Sequence, residues 1–288
     1  MHSSEIKIDS TRIMLPSFAR TVVLESVGST NAYAREQLLH TDAVFARRWG
    51  ELSLIATANQ RAGRGRLERV WSTPAGSALA VSMIVRPHAN PAYRINPQNL
   101  HWLTQILSLA ALETLAGYGV QPTIKWPNDV LVGEKKCCGV LSQLVVEPDG
   151  HLTVVAGIGL NLNMVTADLP VETATSLYCE TGSTVSLTET LNVLGENFAR
   201  LCQDFLGVGA DPGAPLLGGL CLIERTRQNM STLGKRVTVH LPGDQTVRGE
   251  AMDINDDGEI LVRENGGTVR AFAVGDVVHL RPAAPAGS

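Results

Sequence analysis

Four short stretches carry the residues that could do chemistry. The densest is Gln60-Arg61-Ala62-Gly63-Arg64-Gly65-Arg66-Leu67-Glu68-Arg69-Val70-Trp71, directly after the apolar run 54–58. Glycine lets backbone N–H groups come close to a ligand, and guanidinium groups grip phosphate or carboxylate oxygens in a fork that lysine cannot reproduce. The stretch suits an oxyanion-rich ligand, though a solvated basic loop would use the same charges. It lacks the third glycine of a dinucleotide fingerprint and the GK[ST] ending of a phosphate loop. The second stretch is Lys125-Trp126-Pro127-Asn128-Asp129, which leads through 130–132 and a turn at Gly133 to Lys135, Lys136 and Gly139. Pro127 restrains the backbone, Trp126 can fill an apolar wall, and Asn128 with Asp129 presents an amide and a carboxylate at a rigid turn. A plain hairpin between Ile124 and Leu131 would need the same residues. In Gly157-Ile158-Gly159-Leu160-Asn161-Leu162-Asn163 the glycines interrupt a strand, which marks close approach of a ligand or of another backbone. Ser29-Thr30-Asn31 can cap a helix and can also touch a ligand.

Other motifs fall away on context. Asp253, Asn255, Asp257, Gly258 and Glu264 match the fixed positions of a calcium loop. Such a loop needs a helix on each side, whereas 247–251 alternates like a strand and Asn265-Gly266-Gly267 would end a helix at once, so a hairpin turn is expected. The sequon at Asn229 means little without secretion. The seven histidines show no i, i+4 pair, and no GxSxG elbow occurs. What remains is electrostatic chemistry, activation by positioning and charge neutralisation.

The elements that position these stretches can be read from apolar periodicity. The chain has 288 residues, a soft prior of about two domains. With 24 Lys plus Arg against 28 Asp plus Glu the net charge is −4, so no global positive field exists to hold nucleic acid or an anionic membrane. Hydrophobic residues at 44% and charged residues at 18% describe a globular chain. Five cysteines without a CxxC spacing suggest neither disulfides nor zinc, and Cys137 with Cys138 reads as reduced packing. With no signal-peptide core near the start and no 18-residue apolar run, a soluble, cytoplasmic protein is expected. Strands are predicted at 22–24, 54–58, 79–85, 140–146 and 154–162. Helices are predicted over 31–39, along Leu100, Leu103, Leu107 and Leu115 with closure at Gly117 and Gly119, and from a Ser186/Glu189 capping box through Leu191, Leu194, Phe198, Leu201 and Phe205. From about 230 to 282 the period becomes two, with turns at 242–244, 255–258 and 265–267, so a small all-β barrel is expected there.

Taken in order, Ser29-Thr30-Asn31, the 60–71 loop, 125–139 and 157–161 resemble the catalytic domain of biotin-protein ligases over about residues 21–228. The segment 229–282 is similar to the family's C-terminal SH3-like barrel. The resemblance implies an α+β fold, a mixed-sheet catalytic domain of the class II aminoacyl-tRNA synthetase-like type plus a small β-barrel; the composition itself reads 1–20, with Pro16 as a breaker, as a loose arm and 283–288 as a tail. It implies that biotin and MgATP give biotinyl-5′-AMP and pyrophosphate, after which a lysine amine on the biotin carboxyl carrier domain of a carboxylase attacks the mixed anhydride. Arg64, Arg66 and Lys136 would be the catalytic cations. Biotin would meet Ser29, Thr30, Asn31, Gln60, Arg64, Gly65, Arg66, Lys136 and Gly139. The nucleotide would meet Gly63, Arg66, Arg69, Trp71, Lys125, Asn128 and Asn161, with magnesium near Asp129. Gly63 and Gly65 would let the loop order over the adenylate, which must be kept from water.

One departure stands out: Leu67-Glu68 replaces the Arg-Gly that the family often has at that point, which puts adenylate retention in question. The roughly twenty residues before the first strand are too few for the family's helix-turn-helix, so a ligase without DNA binding is expected, with no membrane partner, as a monomer or weak dimer. The alternatives are a lipoate or octanoate ligase of related fold, against which Lys125-Trp126-Pro127-Asn128-Asp129 speaks, and a non-catalytic sensor of biotin or nucleotide.

Overall fold

The structure, a computed structural model, describes residues 7–42, 45, 47–66, 69–241 and 245–273, and the backbone of 276–279. The Leu67-Glu68 step, the 242–244 turn, Leu280 and the 283–288 tail lie outside the described residues. The strands of the first unit are β1 (Arg20–Leu24), β2 (Leu52–Thr57), the short β3 (Gly63–Arg64) and β4 (Val70–Trp71), β5 (Ala78–Val85), β6 (Pro122–Lys125), β7 (Asp129–Val132), β8 (Lys135–Val146) and β9 (Leu152–Asn161). Seven of them form one sheet in the order β1-β2-β5-β9-β8-β7-β6. β1 runs parallel to β2 and the other neighbours are antiparallel, so the sheet is mixed. β2 and β5 are buried along their whole length, as strands covered on both faces must be.

The helices are α1 (Thr30–Leu38), α2 (Leu103–Ala116), α3 (Leu177–Thr181), α4 (Leu187–Gly207) and α5 (Leu222–Asn229). α2 and α4 cover one sheet face over Leu54, Val81, Met83, Ile158 and Leu160. α1 covers part of the other, with Ala34 and Leu38 against Ile55, Ile84 and Val155. The predicted helix from Leu100 divides in two. Pro97 starts a 3-10 turn, Pro97–Trp102, and the α-helix follows it. It closes where expected, with Gly117 as the cap at φ −59° and Gly119 taking the left-handed turn at φ +82°. Half of the capping box forms at α4. Ser186 Oγ accepts from Glu189 N at 3.3 Å, but the Glu189 carboxylate pairs with Arg12 instead.

That pairing is one of several contacts between α4 and the N-terminal segment. Residues 7–19 are not a loose arm but lie docked along α4. Asp9 N donates to Thr188 Oγ1 at 2.9 Å, and the Asn192 side chain receives Met14 N and donates to Arg12 O, each at 3.0 Å. Leu15 and Phe18 are buried, and Gly195 leaves the space that Leu15 Cδ2 fills, 2.5 Å from where a Cβ would stand. Leu15 and Phe18, with Ile8 and Ile13 partly buried against the same core, seat the segment.

The C-terminal strands β10 (Arg236–His240), β11 (Thr246–Ile254), β12 (Ile260–Glu264), β13 (Val269–Phe272) and β14 (Asp276–His279) form an antiparallel sheet in the order β13-β12-β11-β10-β14. Val237, Val239, Ala251, Ile260, Val262 and Phe272 extend the main core into it. The calcium-like segment is the β11–β12 hairpin, as expected, with Ile254 opposite Ile260.

Candidate functional site

Sheet register builds the floor of the site. Thr57, Ala80, Gly159, Gly139 and Asp129 stand side by side across β2, β5, β9, β8 and β7, and Ile55, Ser82, Gly157 and Leu141 form the adjacent row. Side chains alternate between sheet faces, so both rows look toward the α1 side. At the centre of this floor almost nothing stands on the backbone, and three side chains use the space. A Cβ on Gly157 would lie 2.2 Å from Asn31 Oδ1, one on Gly159 2.8 Å from Trp71 Cζ2, and one on Gly139 2.9 Å from Lys136 Nζ.

The first wall comes from the start of α1 and the end of β2. Ser29 caps the helix, its Oγ accepting from Ala32 N at 3.3 Å. Thr30 is buried and donates from both its N–H and its hydroxyl to Gln60 Oε1, at 2.9 and 3.2 Å. Asn31 is a strut across three strands. Its amide nitrogen donates to Leu141 O at 2.8 Å, its amide oxygen accepts from the Ser82 hydroxyl at 2.6 Å, and its carbonyl accepts from Gln143 Nε2 at 3.1 Å. The arginine loop is tied down at its root, where Arg61 N and Ala62 N donate to Val27 O and Gly28 O at 2.9 and 2.7 Å. β3 then pairs with β4, Gly63 opposite Trp71 and Arg64 opposite Val70, and Gly65 N donates to Arg69 O at 2.6 Å. Neither Gly63 nor Gly65 has a positive φ. Gly63 instead makes room, since a Cβ there would meet Gln60 Nε2 and Trp71 O at 2.5 Å. Arg64 and Arg69 are exposed, and Arg66 is half-buried.

The second wall is the 125–139 stretch. β6 and β7 form the hairpin, with Lys125 opposite Asp129 and a cis bond between Trp126 and Pro127. Asn128 ties the turn to β8, its amide donating to Val140 O and its carbonyl accepting from Val140 N at 2.9 Å. Lys136 Nζ lies 2.6 Å from Asp129 Oδ1 above Gly139. The pair is 44% and 24% exposed, so it adds at most ~1 kcal/mol to stability and serves to aim the ammonium. Lys136 is also fixed through its backbone, whose N–H donates to Thr173 O and whose carbonyl accepts from Thr175 N, both at 2.8 Å. Asn161 Nδ2 holds the same segment through Thr175 O at 3.0 Å. A bond from Cys137 and full burial push the Cys138 thiol well above its usual range, so it offers no thiolate here.

A family model described as the biotin/lipoate A/B protein ligase family matches residues 23–163, and one described as the biotin protein ligase C-terminal domain matches 232–280. The biotin–[acetyl-CoA-carboxylase] ligase of Mycobacterium tuberculosis is 34% identical over 263 residues, 90% of this chain and 88% of its own length. The chain belongs to the biotin-protein ligase family. The bifunctional ligase/repressor of Bacillus spizizenii is 30% identical over 227 residues, 77% of this chain, and the chain spans 65% of that relative's length. Among solved structures, the biotin protein ligase from Aquifex aeolicus in complex with biotin and ATP shares the fold, with a TM-score of 0.69 at 23% identity over 92% of this chain and 100% of that one.

For this member of the biotin-protein ligase family, three supporting features escape a reading of motifs. Ser82 anchors Asn31, and its only signal was a hydroxyl inside the apolar strand Ala78–Val85. Thr232 Oγ1 accepts the Trp126 N–H at 2.9 Å from 106 residues away, which no local spacing could foretell. The third is the 255–258 turn, which the calcium-like pattern disguised.

Proposed function

We propose that the chain activates biotin with ATP, forming biotinyl-5′-AMP and pyrophosphate, and then transfers the biotinyl group to a lysine amine of a biotin carboxyl carrier domain. The observation that carries this reading is the Lys136 ammonium, aimed by Asp129 over Gly139 in the row that runs on to Gly159 and Trp71. In the first step a carboxylate oxygen attacks the α-phosphorus and the bond to pyrophosphate breaks, which gathers negative charge at one point. Fixed cations that neutralise this charge work best at the transition state. Lys136, Arg64 and Arg66 take that role in our reading. Thr30 and Gln60, locked together, shape the biotin end with Ser29, Gly65 and Gly139, while Asn31 holds helix α1 to the sheet beneath it. The bare floor lets an extended ligand lie against the backbone.

Gly63, Arg69, Trp71, Lys125, Asn128 and Asn161 are assigned to the nucleotide side. Magnesium keeps several waters and needs only one or two carboxylates beside phosphates, so the single carboxylate of Asp129 suits it, supplying charge neutralisation when bound. In the second step the carrier amine attacks the acyl carbon, AMP leaves with the bonding pair, and the amine loses a proton. We further assign 21–228 to a catalytic domain of the class II synthetase-like type, 229–282 to an SH3-like barrel, and the protein to the cytoplasm. The test is pyrophosphate release by the purified chain. Release from ATP that requires biotin supports the reading, and nucleotide binding without release would leave the sensor reading in its place.

A further inference from the structure

The segment that imitates a calcium loop grips the second wall of the site. Trp102 Nε1 donates to Asp256 O and Trp126 Nε1 donates to Gly258 O, both at 3.0 Å. The two indoles are 0% and 2% exposed. Gly258 holds φ +71°, the left-handed conformation that favours glycine. The turn is stiff in its own right. Asn255 Oδ1 accepts from Asp257 N and Glu259 N at 3.1 and 2.9 Å, and Gly258 N donates to Asn255 O at 2.9 Å. Its base is pinned to α5, where Arg227 donates to Asp253 Oδ1 and to Ile254 O, each at 2.7 Å.

Across the interface, Trp126 sits in the link between Lys125 and Asn128. Its backbone N–H goes to Thr232 Oγ1, Gln105 Nε2 holds Pro127 O at 2.8 Å, and Asn128 exchanges bonds with Val140. An indole has one N–H to give, and this one is given to the C-terminal sheet. We infer that the 255–258 turn is a positioning element for the nucleotide side of the site, setting where the Lys125–Asn128 link lies against β8 through Trp126. The C-terminal sheet thereby takes part in adenylate formation without a group that touches substrate. The inference rests on the reading above that Lys125 and Asn128 face the nucleotide.

Trp102 supplies the control, because it makes the same kind of bond to the same turn from the end of a 3-10 segment outside the 125–139 stretch. Trp126→Phe and Trp102→Phe each remove one N–H and keep an aromatic ring. In the full chain, Trp126→Phe is expected to raise the KM for ATP about fivefold, the size of one buried neutral hydrogen bond. The KM for biotin should stay within about twofold, and exchange of the Val140 amide, bonded to Asn128 O, should quicken. Trp102→Phe should lower the unfolding midpoint similarly and leave the ATP KM within about twofold. Gly258→Ala, which strains the turn without altering a site residue, should reproduce the ATP effect. Equal ATP effects from both tryptophan variants, or a change in midpoint alone, would overturn the inference. Absence of biotin-dependent pyrophosphate release in the unaltered chain would instead sink the functional reading, while Val140 exchange in the two variants would still decide the positioning role.

Discussion

Gly157 and Gly159 are two residues apart on β9, face the same side of the sheet, and should respond to the same added methyl in opposite ways. At Gly157 a Cβ would lie 2.2 Å from Asn31 Oδ1, 2.5 Å from Nδ2 and 2.6 Å from Cγ, so the amide must leave. Asn31 then loses the bond from Ser82 and its own bond to Leu141 O, of 2.6 and 2.8 Å. Two such bonds are worth about 1 kcal/mol each, and forcing the side chain aside adds about 1–2 kcal/mol. Gly157→Ala should therefore cost roughly 3–4 kcal/mol of folding stability. At Gly159 the methyl would meet the Trp71 ring at 2.8 Å. That ring belongs to a two-residue strand whose other member, Val70, is 82% exposed, so it can swing outward cheaply. Stability should change by less than about 1 kcal/mol. A shift of about 1 Å in a positioning group can cost up to ~100-fold in rate, and Gly159→Ala should lower adenylate formation at least about tenfold. Urea unfolding followed by intrinsic fluorescence gives the first quantity, and biotin-dependent pyrophosphate release the second. Equal stability losses in the two variants, or full activity in Gly159→Ala, would refute the reasoning.

Lys136→Ala should slow adenylate formation by about 100-fold or more with little change in unfolding, and Asp129→Asn should slow it too, with a steeper dependence on magnesium concentration, since Asp129 both aims the ammonium and is assigned to magnesium; single-turnover kinetics over a range of magnesium separates the two. Arg66→Ala should release more free biotinyl-5′-AMP, counted in a quenched reaction. A pH effect should come from the far end of the sheet, where Arg86 grips Glu147 through two 2.7 Å bonds and Thr153 donates to the same carboxylate. Burial works to raise Glu147, but the Arg86 and Thr153 donors outweigh it and hold the carboxyl below its usual value. Burial and the Arg86 charge push His88 down, 3.8 Å from Glu147. Both folded-state values are depressed, so the stability these groups give is complete at higher pH. It is lost as pH falls, first below about 6.5 for His88 and then below about 4.3 for Glu147. Unfolding free energies across that range should show both declines, and Glu147→Gln, which breaks a buried pair, should cost about 3 kcal/mol or more near neutrality. Leu15→Ala should cost about 2–3 kcal/mol, because its side chain fills the space over Gly195, and denaturant midpoints will show it.

How far the amino-acid sequence reveals this arrangement depends on the range of the interactions. Strands and helices with an apolar period, such as β5 and α4, appear within about a residue of their predicted places, because burial of a face is written into the period itself. The interior glycines of β9 were legible as places of close approach. That Asn31 approaches Gly157 and Trp71 approaches Gly159 was not, because strand register decides it across 126 and 88 residues of chain. Gly63 also makes a packing contact that the loop's glycines did not reveal, because Gln60 is near in sequence but Trp71 arrives only when β3 pairs with β4. Residues 7–19 misled because the side chains that dock, Ile8, Ile13, Leu15 and Phe18, follow no helix or strand period.

The central claim is that this fold makes an acid reactive with ATP and hands it to a lysine. Intact-mass analysis of a purified biotin carboxyl carrier domain, incubated with the chain, ATP and equal amounts of biotin and lipoate, tests it most directly. The account predicts one biotinyl adduct on one lysine, dependent on ATP and absent with Lys136→Ala. A lipoyl adduct, or an unmodified carrier in the presence of an intact, folded chain, would contradict it.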